Sequence, residues 1–181
     1  MTNTSNTPST RWRPLSEAEF TASPEAKLGG ALGTIFGCAA ALVAALVLIA
    51  AWLIAFGGFF AFTMMSQSIL AGSSITSIIA RISLVPQAML FVWAFVFATM
   101  TLARRPSTPK VASVMIAIWA ALSIGAQIAS RYVIAQNSFI LGSQATLLPY
   151  MLLEIALVAA FWGYMSEGRR PNIYFRKRIR A

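Results

Sequence analysis

The chain has 181 residues, 58% of them hydrophobic and only 10% charged, with 14 Lys and Arg against 5 acids, no His, no Asp and one Cys. A soluble domain runs at about 25% charged and 45–50% apolar, so a mean hydropathy of +0.72 excludes a solvated surface and makes lipid the solvent for most of the chain. Without imidazole, and with the lone thiol of Cys38, the chain has no His metal ligand, no usual general base, no thiolate cluster and no intramolecular disulfide. No enzymatic activity and no cofactor are expected.

Residues 1–27 are rich in Thr, Ser and Pro, with isolated apolar residues that bury too little surface to offset ordering. They are predicted to be a disordered cytoplasmic tail. No cleavable leader is expected, because the apolar run begins too late and continues too long. The triplet at Asn3 matches a glycosylation acceptor, but a cytoplasmic tail never meets that machinery.

Residues 28–166 are predicted to form a four-helix transmembrane bundle. No charge lies between Lys27 and Arg81, a distance too long for one crossing, since about 20 residues traverse a hydrocarbon core. The first span is placed at about 31–56, with Gly57-Gly58 as its weak point and Phe59, Phe60 and Phe62 as ring anchors. Within it Gly29, Gly33, Gly37, Ala41 and Ala45 recur every fourth position as a flat ridge. Such ridges bring helix backbones together in lipid, here either within the bundle or against another subunit or a second copy. Cys38 lies in this region and reads as a small apolar residue.

From Ser66 to Arg81, Ile75, Ile78, Ile79 and Ile82 recur at helical spacing opposite Ser73, Ser74, Thr76 and Ser77. This predicts an interfacial helix after the first span, with a re-entrant or spanning piece as the alternative. The remaining spans are placed at about 84–103, 111–130 and 147–165. Trp52, Trp93, Trp119 and Trp162 each fall in a span; such rings are read as packing or interfacial anchors rather than a cofactor pocket.

Glu154 is the one ionisable group deep in the last span. Placing it in hydrocarbon costs about 2.5–3.5 kcal/mol on insertion scales, so it should face the bundle interior and find a partner. Candidates at similar depth are Gln127 and Arg131 on the third span, Arg81 and Gln87 at the second, and Tyr150 one turn earlier on the same face. The cluster reads as structural glue or as a site for a solute or ion. A proton relay would need further titratable groups leading inward, and there are none.

Residues 167–181 are predicted to be a basic cytoplasmic tail. Gly168 and Pro171 end the last helix, and Arg169, Arg170, Arg176, Lys177, Arg178 and Arg180 follow, interleaved with Ile173, Tyr174, Phe175 and Ile179. These suit an anionic leaflet, at about 1 kcal/mol per basic residue. Nucleic acid would use the same charge, but a short stretch tethered to the bilayer is more simply a lipid anchor, so membrane lipids are the expected partner and nucleic acid is not. The Arg104–Lys110 loop serves the same end. With four spans and both termini inside, twelve of the fourteen cations lie on the cytoplasmic side and only Arg81 and Arg131 lie outside.

Residues Trp93 through Arg105, and Tyr174-Phe175 followed by Arg178-Ile179, together with this topology over residues 28–181, resemble the bacterial inner-membrane family of domain of unknown function 2569. The resemblance implies a bacterial inner membrane and no catalytic role. The expectation is an all-α membrane protein with four transmembrane helices and both termini cytoplasmic, acting as a non-enzymatic accessory, assembly or scaffold subunit. A subunit of a small-solute or ion transporter built around Glu154 is the second reading.

Overall fold

The structure, a computed structural model, describes residues 12–137 and 147–180; the expectation for Asn3 lies outside them. Four of its helices are long and apolar enough to cross a membrane. They are α2 (Gly30–Trp52), α4 (Ile75–Leu102), α5 (Thr108–Asn137) and α6 (Leu147–Glu167). The protein is an all-α membrane protein, with one short two-stranded ribbon among the described residues.

The core lies where α2, α4, α5 and α6 converge near one end of the bundle. Leu32 and Ala39 of α2 meet Trp93, Ala94 and Phe97 of α4, Ala112 and Ile116 of α5, and Met165 of α6. Trp93 organises this contact. Its ring stacks on Phe97 at 5.4 Å, meets Phe161 of α6 edge-on at 5.8 Å, and its Nε1–H donates to the Ala112 carbonyl of α5 at 3.1 Å. An indole fully sheltered from water needs such a partner for its N–H.

Only the first half of α2 joins the core. Beyond Val43 nearly every residue is exposed through Phe56, and a π-helical turn at Leu53–Gly57 leads into α3 (Gly58–Ala71). A π turn inserts an extra residue into the helical repeat and so re-aims the next stretch of helix.

The segment expected to lie on the interface as one helix is divided. α3 stops at Ala71, residues 72–74 are extended, and Ser74 caps α4 by accepting from the Ser77 N–H at 3.2 Å. Ile75 through Arg81 therefore form the first two turns of the second span, nine residues ahead of the expected start at 84. The isoleucine periodicity is helical as expected, but the break at Gly72 decides which helix owns it. A Cβ on Gly72 would collide with the Ser68 carbonyl and the Ser77 side chain, so only glycine permits this close approach.

The amino-terminal residues also differ from expectation. Residues 12–26 are ordered as β1 (Trp12–Pro14), α1 (Glu17–Ala22) and a 3-10 turn at Pro24–Ala26. The carboxy-terminal residues form α7 (Arg169–Arg176) and β2 (Arg178–Arg180), and β2 pairs antiparallel with β1, Trp12 opposite Arg180 and Pro14 opposite Arg178. Residues 12–14 and 178–180 thus meet at one end of the bundle. Pro171, expected to stop the helix, sits in the first turn of α7, where its missing N–H costs nothing. Ile173, Tyr174 and Phe175, read from the sequence as lipid-facing, are buried at 0%, 5% and 4% exposure. Tyr174 Oη–H donates to the Thr101 carbonyl at 3.3 Å and its ring carries the Arg104 guanidinium at 5.0 Å.

α2 starts on Gly30, with φ of +54°, and a Cβ there would stand 3.3 Å from Arg170 Nε. Gly30→Ala is expected to cost about 1–2 kcal/mol for the left-handed backbone alone. It should also displace Arg170 from the Lys27 carbonyl, to which Nη1 donates at 3.1 Å. A thermal melt in detergent, compared with that of Gly37→Ala, where a Cβ meets nothing within 4 Å, measures the difference.

Candidate functional site

Two polar assemblies stand out, one inside the bundle and one at its end. In the first, Glu154 sits seven residues into α6, about 10 Å along the axis, and turns toward α5. Its Oε1 accepts from Ser123 Oγ at 2.9 Å and from Gln127 Nε2 at 2.8 Å, and Gln127 Nε2 also approaches Ser123 Oγ at 3.4 Å. Ser123 and Gln127 are one turn apart, so one stripe of α5 supplies both donors. Oε2 is buried and has no hydrogen-bond partner among the described residues.

Of the residues the sequence placed around Glu154, the structure brings Gln127 into contact. Arg131 stands one turn beyond Gln127, partly buried and itself engaged. Arg81 works elsewhere: Nη1 donates to the Leu70 carbonyl at 3.0 Å and Nη2 to the Gly72 carbonyl at 2.9 Å, so it caps the carboxyl end of α3, where a cation also meets the negative end of the helix dipole. Gln87 is exposed and Tyr150 is 63% exposed. Ser123 was missed, although its spacing from Gln127 gave the signal. Among the described residues no three acids or thiols come together. Chemically, the cluster offers one carboxyl with a spare acceptor oxygen, beside one hydroxyl and one amide that donate to its other oxygen.

The second assembly is the cap made by both chain ends. Ser16 and Glu19 form a capping box: the Glu19 N–H reaches Ser16 Oγ at 3.3 Å and the Ser16 N–H reaches Glu19 Oε2 at 2.9 Å. Arg13 clasps the same carboxylate through two bonds of 2.8 and 3.0 Å. The Arg13 bond, with the Ser16 N–H, holds the Glu19 carboxyl at about 2 against an ordinary 4.5. A depressed carboxyl contributes its stability above the unfolded value and loses it as pH falls through the folded one. Order in residues 12–22 is therefore expected to persist to about pH 4.5 and to fade toward about pH 2, read as faster proteolysis there than in α4.

Asn172 is the centre of the carboxy-terminal half of the cap. It is wholly buried, and its Nδ2 donates to the Ser166 and Gly168 carbonyls at 3.0 and 2.9 Å. Its Oδ1 accepts from Arg176 Nη1 and Arg178 Nε, both at 3.1 Å. Burial, with the like charge of Arg178, lowers the Arg176 guanidinium from its ordinary value. Other cations of the tail pair with acids: Arg169 with Glu25 at 3.3 Å, Arg180 with Glu167 at 3.3 Å, and Lys177 with Glu17 at 4.0 Å. Arg178 and Arg180 stand over the Trp12 ring at 5.1 and 5.3 Å, and Lys177 over Phe20 at 4.9 Å. The basic tail is therefore a folded surface and not a loose anchor.

The small-residue ridge divides along its length. A Cβ on Gly29 would lie against Arg170 Nη1, one on Gly33 would meet the Leu28 backbone just before α2, one on Gly37 would have nothing within 4 Å, and Ala41 and Ala45 are exposed. The opposite stripe, Leu28, Leu32, Ile35, Phe36 and Ala39, faces the core. No family model matches the chain, and comparison with curated proteins and with solved structures finds no match.

Proposed function

We propose that this chain is a non-enzymatic, multi-pass protein of a bacterial inner membrane, an accessory, assembly or scaffold subunit that associates through α2 with another membrane subunit or a second copy. The observation that carries this reading is the outward aspect of the ridge from Gly37 to Ala45. In lipid, apolar surface gains nothing by leaving one greasy phase for another, so close backbone approach along small residues is a main source of helix association. The cytoplasmic placement of both termini is supported by the pairing of β1 with β2 and by the cations gathered at that end of the bundle. The bacterial inner membrane rests on the resemblance to the family of domain of unknown function 2569.

Gentle extraction in a mild detergent, followed by the mass of the intact particle, tests the proposal. A particle heavier than one 19.5 kDa chain is expected, and Ala41→Leu, which raises a knob on the ridge, should return it to a single chain. A particle that holds one chain before any substitution overturns the reading.

A second reading is favoured by the buried Oε2 of Glu154: a transporter or channel subunit in which this oxygen receives a solute or ion. Glu154→Gln keeps an oxygen for Ser123 and Gln127 but removes the acid. It should abolish flux under the second reading and leave it untouched under the first.

A further inference from the structure

We propose that Arg176 and Arg178, held side by side on Asn172, form a binding site for a phosphate group, which the bundle's setting assigns to the headgroup of an anionic phospholipid. The proposal rests on the membrane placement of the four apolar helices and is independent of the accessory-subunit reading.

Two guanidiniums converge on one neutral oxygen, Asn172 Oδ1, each at 3.1 Å. Like charges so placed repel, and a fold that holds them there with no carboxylate paired to them among the described residues leaves the position open to an anion. The four acids described at this end are engaged elsewhere: Glu19 with Arg13, Glu25 with Arg169, Glu17 with Lys177 and Glu167 with Arg180. Each guanidinium carries five N–H donors and gives one to Asn172, and among the described residues most of the fork on both side chains remains for a ligand. Planar forks bind the oxygens of a phosphate bidentately, and two of them side by side can share its three or four oxygens.

The geometry is fixed from behind. Asn172 cannot swing, because its amide is tied to the Ser166 and Gly168 carbonyls. Arg178 is steadied over Trp12 at 5.1 Å, and β2 is held by its pairing with β1. Such preorganisation lowers the ordering cost of binding. The height also fits. α7 follows α6 after a single residue, Gly168, and Tyr174 is bonded to Thr101 one residue before the end of α4. Arg176 and Arg178 therefore lie level with the ends of the spans, where headgroup phosphates stand. Basic pockets at this level are suited to anionic lipid.

The test uses the full chain in a neutral detergent. Phosphatidylglycerol, phosphatidylcholine and inorganic phosphate are added separately, with thermal unfolding and native mass spectrometry as readouts. A stabilised protein carrying a retained phosphatidylglycerol adduct, weakened about tenfold in Arg176→Gln and in Arg178→Lys and unchanged in Lys27→Gln, an exposed cation of the same end, supports the site and its lipid ligand. Stabilisation by inorganic phosphate alone, with the same dependence on Arg176, supports the phosphate site and replaces the headgroup with a free ion. An equal loss in Lys27→Gln, or no stabilisation by either ligand, overturns the proposal. Arg176→Gln leaves β2 and the Trp12 contact in place, so misfolding does not obscure the result.

Discussion

Replacing Asn172 by Leu will detach α7 and β2 from the bundle. The two side chains branch alike, so no cavity opens, and the effect falls on hydrogen bonds and on the crowding of two methyl groups at a wholly buried site. The Ser166 carbonyl belongs to the last turn of α6, where the last acceptors of a helix have no partner within it, and the Gly168 carbonyl opens α7, where it also accepts from the Asn172 N–H. Losing the amide leaves the Ser166 carbonyl without its donor, at about 1–3 kcal/mol, while Arg176 and Arg178 lose their common acceptor. The expected cost is about 3 kcal/mol or more. Hydrogen exchange in residues 169–180 should rise to that of free peptide while α4 and α5 stay protected. Unchanged protection of Tyr174 and Phe175 would show that apolar contact alone holds the segment.

Trp93→Ala is expected to be the most damaging change within the membrane. In water such a truncation loses both transfer free energy and packing, about 3–5 kcal/mol. Here lipid surrounds separated helices, and the transfer part largely disappears. What remains is a cavity on the order of 100 Å³, at about 24 cal/mol per Å³, hence about 2–3 kcal/mol. To this is added the Ala112 carbonyl bond. Trp93→Phe should recover the stacking on Phe97 and the edge contact with Phe161, and lose only the hydrogen bond. Unfolding in mixed micelles should therefore rank the variants with Ala well below Phe. Equal losses would make the indole N–H, and not the ring volume, the dominant part.

The four spans were legible because bilayer thickness imposes a length and an apolar content that any reading of hydropathy recovers. The Glu154–Gln127 contact was also visible, since an acid in hydrocarbon must find a donor at its own depth. The ends of the helices were less so. Isoleucine spacing before Arg81 fixes a helix but does not say that Gly72 divides it, nor that Arg81 spends its charge on carbonyls of α3. The cap was illegible for a different reason. Residues 12–26 hold too few apolar groups to fold alone, and their partner lies more than 150 residues further on. The spacing of Ser16 and Glu19, which the structure makes a capping box, is a local signal of order that the composition argument does not use. In the same way the aromatic tail, read as greasy residues seeking lipid, finds its apolar surroundings in Leu32, Phe97 and Met165 of the protein itself.

The ribbon that joins Trp12–Pro14 to Arg178–Arg180 orders events during synthesis. The first strand leaves the ribosome before any helix that will support it, and must wait for its partner until all four apolar helices have been made. A chain halted after any earlier helix would leave the Trp12 ring without the Arg178 and Arg180 guanidiniums that cover it.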